Sequence, residues 1–132
     1  MWLRIHLLTV KYIRQVFTSM ADRECFIIKK IIKHIDKIDE YTGNVEQSVF
    51  LTDTKIVEAC VFNLLQMGEL TGKIDKKFRD VHSTIPWNKI RGLRNRIVHD
   101  YEGIRLEIIW DIVKNDLPIL REQLIYLISS DT

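Results

Sequence analysis

The apolar positions of this chain recur every three or four residues, the period of an α-helix. Ile28, Ile31, Ile32, Ile35 and Ile38 form one such stripe. Asp22 can cap it and Gly43 lies behind it, so the spacing predicts a first helix of about twenty residues. Lys29, Lys30, Lys33 and Asp36 then point outward. A loop is expected over residues 42–51. Thr52 or Asp53 caps a second helix whose inner face is Ile56, Val57, Cys60, Val61, Leu64 and Leu65, ending near Gly72. The basic residues 73–84 predict a short helix plus loop. Pro86 suits the first turn of a third helix, where its missing donor would be orphaned anyway, and Gly103 marks that helix's end.

The last helix is expected from about Arg105 into the 120s, with Ile108, Ile109, Ile112, Leu117, Leu120, Leu124, Ile125 and Leu127 apolar. Pro118 lies inside it, removes one hydrogen bond, and should kink or divide it, with Asp116 capping the second half. No stretch alternates at period two for long enough to make a strand. The expected fold is an all-α, up-and-down bundle of four to five helices.

The third helix breaks the pattern. On a helical wheel, Trp87, Ile90, Arg94, Ile97, Val98 and Tyr101 share one face, while Asn88, Gly92, Asn95 and His99 form a second stripe. Arg94 is thus a cation within an apolar stripe, costly there unless something pairs with it. A salt bridge to an acid such as Glu58 or Glu69 inside the bundle would answer that. A symmetric dimer is another answer, with Arg94 meeting its copy and the two motifs lining one cleft.

Composition narrows the choice only in part. At 132 residues, 46% hydrophobic and 29% charged, the chain is a single globular domain. The net charge of +2 misleads. Residues 1–19 hold Arg4, Lys11 and Arg14 and no acid; without them 17 bases face 18 acids, a balance of −1. Any case for nucleic acid rests on local patches, namely Lys73, Lys76, Lys77 and Arg79, then Lys89, Arg91, Arg94 and Arg96. Residues 1–19 lack an uninterrupted apolar run, so they are read as an N-terminal extension and not a signal peptide, with 20–132 as the domain. An extra amphipathic helix packed on the bundle is the alternative. Cys25 and Cys60 show no C-x-x-C spacing and read as thiols of a reducing, cytoplasmic setting. No transmembrane length is reached. Neither metal-ligand spacing nor a Gly-rich phosphate loop is present, so no metal and no cofactor is expected.

A single helical histidine is commonly structural, but His99 has company. Asn95 precedes it by one turn, Gly92 leaves that face open, and Arg91, Arg94 and Arg96 make the neighbourhood cationic, as a phosphate site requires. Imidazole changes protonation near neutral pH and serves as acid or base without a metal. Arg94 and His99 lie about 140° apart on the wheel, an angle that arginine's long stem or a second protomer has to span. Tyr101 either packs at a core or interface or, flanked by Asp100 and Glu102, is exposed enough to be modified.

The stretch IPWNKIRGLRNRIVHDY over residues 85–101, followed by IIWDIVKNDLPIL over 108–120, resembles the HepT-like branch of the HEPN domains. LLQMGEL at 64–70 and MADRECFIIKKIIKHI from Met20 add to the likeness, which covers about residues 20–128. The departure is QMGEL, where the family carries an apolar residue before the glycine and alanine after the glutamate. The resemblance implies a dimerising helical bundle that acts as the toxin of a two-gene toxin–antitoxin system. It implies a metal-independent ribonuclease with the arginine and histidine of R-x4-H in a cleft between protomers. Here those are Arg94 and His99, with Asn95 as the polar residue after the arginine; the neighbouring basic patch makes Lys89, Arg91 and Arg96 the expected RNA contacts. The implied partner is a minimal nucleotidyltransferase that adds AMP units to the motif tyrosine, Tyr101. A non-catalytic helper that binds nucleotide or substrate for such a nucleotidyltransferase is the competing expectation.

Overall fold

The computed structural model describes residues 2–130, apart from the side chains at positions 2 and 15–21. Helices and turns make up the described residues, with no strand among them. The first element, α1, runs from Trp2–Thr42, and from Glu24 onward it buries Ile27, Ile28, Ile31, Ile32, Ile35 and Ile38. Asp22 therefore lies inside a helix and caps nothing, contrary to expectation. The reason is local, since no glycine or proline precedes Gly43 and nothing obliges the chain to leave the helix. The helix ends where Gly43 N–H donates to the Asp39 carbonyl at 2.7 Å. Leu3, Ile5, Leu7, Leu8, Tyr12 and Ile13 are exposed on α1, so these positions do not pack on the bundle.

The expected loop contains a one-turn helix, α2 (Gln47–Phe50), that periodicity cannot register at four residues. Its Phe50 is fully buried, with the ring 5.0 Å from that of Trp110. Asp53 then caps α3 (Thr54–Lys73), accepting from the N–H of Lys55 at 3.1 Å and of Ile56 at 3.2 Å. This helix is the centre of the bundle and packs against both α1 and α5. It buries Val57, Cys60, Val61, Leu64 and Met67, while Ile56 and Leu65 are only half-buried.

A short α4 (Lys76–Val81) occupies the basic segment. It is tied to α1 by the buried carboxylate of Glu24, which accepts from Asp75 N–H at 3.2 Å and from Arg23 Nη1 at 2.9 Å. Pro86 stands at the N-cap of α5 (Trp87–Asp100), and the Trp87 indole donates to the His82 carbonyl at 3.0 Å. A single 3-10 turn, Tyr101–Gly103, closes α5.

The expected last helix is divided, but not by a cap. The chain runs through α6 (Leu106–Asp111), a π-helical turn (Ile112–Asp116) and α7 (Leu117–Ser130) without leaving helical geometry. Leu117 N–H reaches the Ile112 carbonyl five residues back, and Pro118, with no N–H, falls in the first turn of α7. There is accordingly no open helix start for Asp116 to cap. No described helix is long and apolar enough to cross a membrane. Neither cysteine is in a disulfide.

Candidate functional site

The site is built where α5 crosses α3. Helix α5 buries only Trp87, Ile90 and Ile97, which hold its inner edge against the bundle. Arg94 lies between Ile90 and Ile97 on that edge, and its stem meets α3 at Gly68. A Cβ at Gly68 would collide with Arg94 Cβ and come within 2.7 Å of Arg94 Cγ, so the arginine occupies the volume that a side chain at position 68 would need.

That close approach brings the next residue, Glu69, within reach of the guanidinium. Arg94 Nε donates to Glu69 Oε1 at 2.6 Å, and Nη2 is paired with the same oxygen. Arg94 Nη1 donates to Asn95 Oδ1 at 3.0 Å. Of the two acids expected as partners for Arg94, the structure uses Glu69. The pair is not inside the bundle, however: the Arg94 side chain is 32% exposed and that of Glu69 49%. A guanidinium carries five N–H donors, and these three contacts leave one on each terminal nitrogen, free to donate to phosphoryl oxygens.

Asn95 and His99 are exposed and lie one helical turn apart on the same side of α5. Gly92 lies one turn before Asn95 and two before His99, and a Cβ added there would meet nothing within 4 Å, so this face is open. Among the hydrogen bonds and ion pairs of the described residues, none joins His99 to Arg94. The chain thus gathers Arg94, Asn95 and Glu69 into one network and leaves His99 outside it.

The other expected residues divide by direction. Arg91 is exposed and sits about 60° from Arg94 around the helix axis, beside Asn95. Arg96 and Lys89 point to the far side, about 160° and 140° from Arg94. Lys89 lines a groove of about 430 Å³ between α3, α5 and α7 whose walls include Leu64, Met67, Ile90, Leu93 and Leu117. Val98 differs from the helical-wheel expectation, being 52% exposed, and Tyr101, whose burial or exposure the sequence left open, is 38% exposed. The wheel fixes their direction but not how far the neighbouring helix extends, and at this end of α5 they reach the surface. Tyr101 opens the 3-10 turn, just past the last residue of α5.

Glu69 and Gly68 are the residues that reading the motif alone leaves out of the site. Their signal was a glycine inside an otherwise regular apolar helix, followed directly by an acid, a position where only close packing rewards the loss of a side chain.

The family model "Ribonuclease HepT-like" matches residues 31–127, a span that includes every residue of this network. "Probable ribonuclease HepT" of Thermococcus cleftensis is 31% identical over 94 residues, 71% of this chain and 86% of that protein. A "Putative RNase" of Methanocaldococcus jannaschii is 30% identical over 105 residues, 80% of this chain and 95% of its own length. Another "Putative RNase", of Caldanaerobacter subterraneus, is 29% identical over 96 residues, 73% and 86% of the two chains. No solved structure matches the chain at a comparable strength.

Proposed function

We propose, for a chain that belongs to the ribonuclease HepT-like family, that it is a metal-independent endoribonuclease centred on Arg94 and His99. The observation that carries this reading is the solvent-reaching Arg94 guanidinium, anchored by Glu69 and Asn95, with the exposed His99 imidazole one helical turn beyond Asn95.

In such a reaction the ribose 2′-oxygen attacks the adjacent phosphorus, the bond to the 5′-oxygen breaks, and a 2′,3′-cyclic phosphate and a free 5′-hydroxyl result. One base takes the 2′-hydroxyl proton and one acid supplies a proton to the departing 5′-oxygen. Each chain supplies one His99. A homodimer with the two α5 helices facing across a cleft therefore provides both roles, and Arg94 stabilises the charge that develops on the phosphoryl oxygens. Arg91 alongside, with Arg96 and Lys89 on the flank, would hold the flanking phosphates, a contribution that weakens with added salt.

Control on this reading acts at Tyr101. A partner nucleotidyltransferase would join the phenol oxygen to the α-phosphorus of ATP and release pyrophosphate, leaving AMP on the tyrosine. The phosphate then competes with RNA for the Arg94 donors. The pair would form a toxin and antitoxin.

The deciding experiment is RNA cleavage by purified protein with EDTA present. His99→Ala and Arg94→Ala are each expected to abolish cleavage, and EDTA to leave it unchanged. Full activity in His99→Ala would move the chemistry elsewhere. Co-expression with a cognate nucleotidyltransferase is expected to raise the mass by whole AMP units at Tyr101, and Tyr101→Phe to escape silencing.

A further inference from the structure

We propose that Glu69 is a positioning residue for Arg94, fixing the guanidinium so that its remaining N–H donors are aimed at the phosphate undergoing cleavage. The inference rests on the ribonuclease reading above, and it adds a residue from α3 to a site otherwise drawn from α5 alone.

Arginine is a poor electrostatic catalyst when mobile. Its stem has many rotamers, and a donor fork stabilises a developing charge only if it is already aimed when the charge appears. Here three contacts remove that freedom. Glu69 Oε1 accepts from Nε at 2.6 Å and is paired with Nη2, holding the side edge of the guanidinium. Asn95 Oδ1 accepts from Nη1 at 3.0 Å and fixes the rotation about that edge. The planar group is then pinned, and one N–H on each terminal nitrogen is left over to meet a phosphate.

Gly68 makes the arrangement possible. Without a Cβ there, the Arg94 stem lies directly against α3, and Glu69 needs only its own reach to close on the guanidinium. The location argues against a mainly structural bridge. Both side chains reach solvent, and exposed ion pairs add little to folding stability, so the contact is better placed to orient a group than to hold two helices together.

The same geometry admits an opposite reading, in which Glu69 occupies Arg94 and must leave before RNA binds. The experiment separates the two. Glu69→Gln keeps the size and one acceptor oxygen, Glu69→Ala removes both, and Glu69→Asp keeps the charge on a shorter stem. With single-site RNA, kcat is expected to fall about 30-fold in Glu69→Gln and about 100-fold in Glu69→Ala, the scale of misplaced catalytic groups. KM should stay within about threefold and Glu69→Asp should recover part of kcat. Unchanged kcat, a gain of activity, or a loss carried by KM alone each overturns the proposal.

A second measurement does not depend on turnover. The Arg94 Nε–H signal in a 15N spectrum should be sharp and protected in the native chain and broadened in Glu69→Gln. An unaltered signal overturns the proposal. A broadened signal in a protein whose Arg94→Ala variant still cleaves RNA normally would overturn the ribonuclease assignment of Arg94 while leaving the clamp in place.

Discussion

At the scale of the residue, position 68 sets two effects of opposite sign against each other. Glycine inside a helix costs about 1 kcal/mol relative to alanine, so Gly68→Ala would stabilise an isolated α3. In the folded chain the new methyl group meets the Arg94 stem, which is itself held by Glu69, and such overpacking costs about 1–3 kcal/mol. The clash is expected to win. Gly68→Ala should lower the urea midpoint and weaken RNA cleavage together, whereas a raised midpoint would show that the stem simply swings aside.

Cys60 makes a second residue-scale prediction. Burial pushes its thiol from the ordinary 9.0 up to about 11, with the charge of Lys114 pulling weakly the other way. The folded chain therefore holds this proton more tightly than the unfolded chain. Stability from the group is complete below 9.0 and is lost as pH rises from there towards about 11. The loss approaches about 2–3 kcal/mol. Urea titrations at pH 8 and pH 10.5 should show a steeper alkaline loss in the native chain than in Cys60→Ala, and equal slopes would refute it.

At the scale of the element, α3 matters most because it carries Gly68 and Glu69 to the site. Its start is fixed by Asp53, whose carboxylate satisfies two N–H groups of the first turn. Asp53→Ala should cost about 1 kcal/mol, read from the denaturation midpoint, and leave the site's geometry alone. Asp53 and Asp22 show how far a capping signal can be read. Both are acids ahead of an apolar stripe. Asp53 follows a loop that brings the chain in from a non-helical conformation, whereas Asp22 is preceded by residues that continue the helix. A cap works only where a helix begins, and a side chain does not announce that by itself. Pro118 carries the same lesson. Its missing donor was plain from the chain, but the π turn that absorbs it, with Leu117 N–H reaching back to Ile112, depends on how α6 and α7 together cover the core.

At the scale of the molecule, the exposed Val98 and Tyr101 and the separation of His99 from Arg94 within one chain fit the proposed second copy. Light scattering at micromolar concentration is expected to give twice the 15.7 kDa chain mass. Val98→Glu places a charge on a surface residue, so the melting temperature should hardly move, while self-association and cleavage should both fall. A monomeric native chain with full activity would rule the shared cleft out.

The helical class, the start of α3 at Thr52 or Asp53, the start of α5 close to Pro86, and the gathering of Arg94, Asn95 and His99 on that one helix were all legible in the chain. Each depends on residues within about four positions of one another, where helical periodicity and capping chemistry act. The tertiary structure decided which acid meets Arg94, since Glu69 lies 25 positions away and reaches it only because Gly68 lets α3 and the arginine stem touch. It also decided that the ion pair reaches solvent and that Val98 and Tyr101 do not enter the core. A helical wheel gives the direction of a side chain; whether another helix stands in that direction is settled by long-range packing, for which the local pattern carries no record.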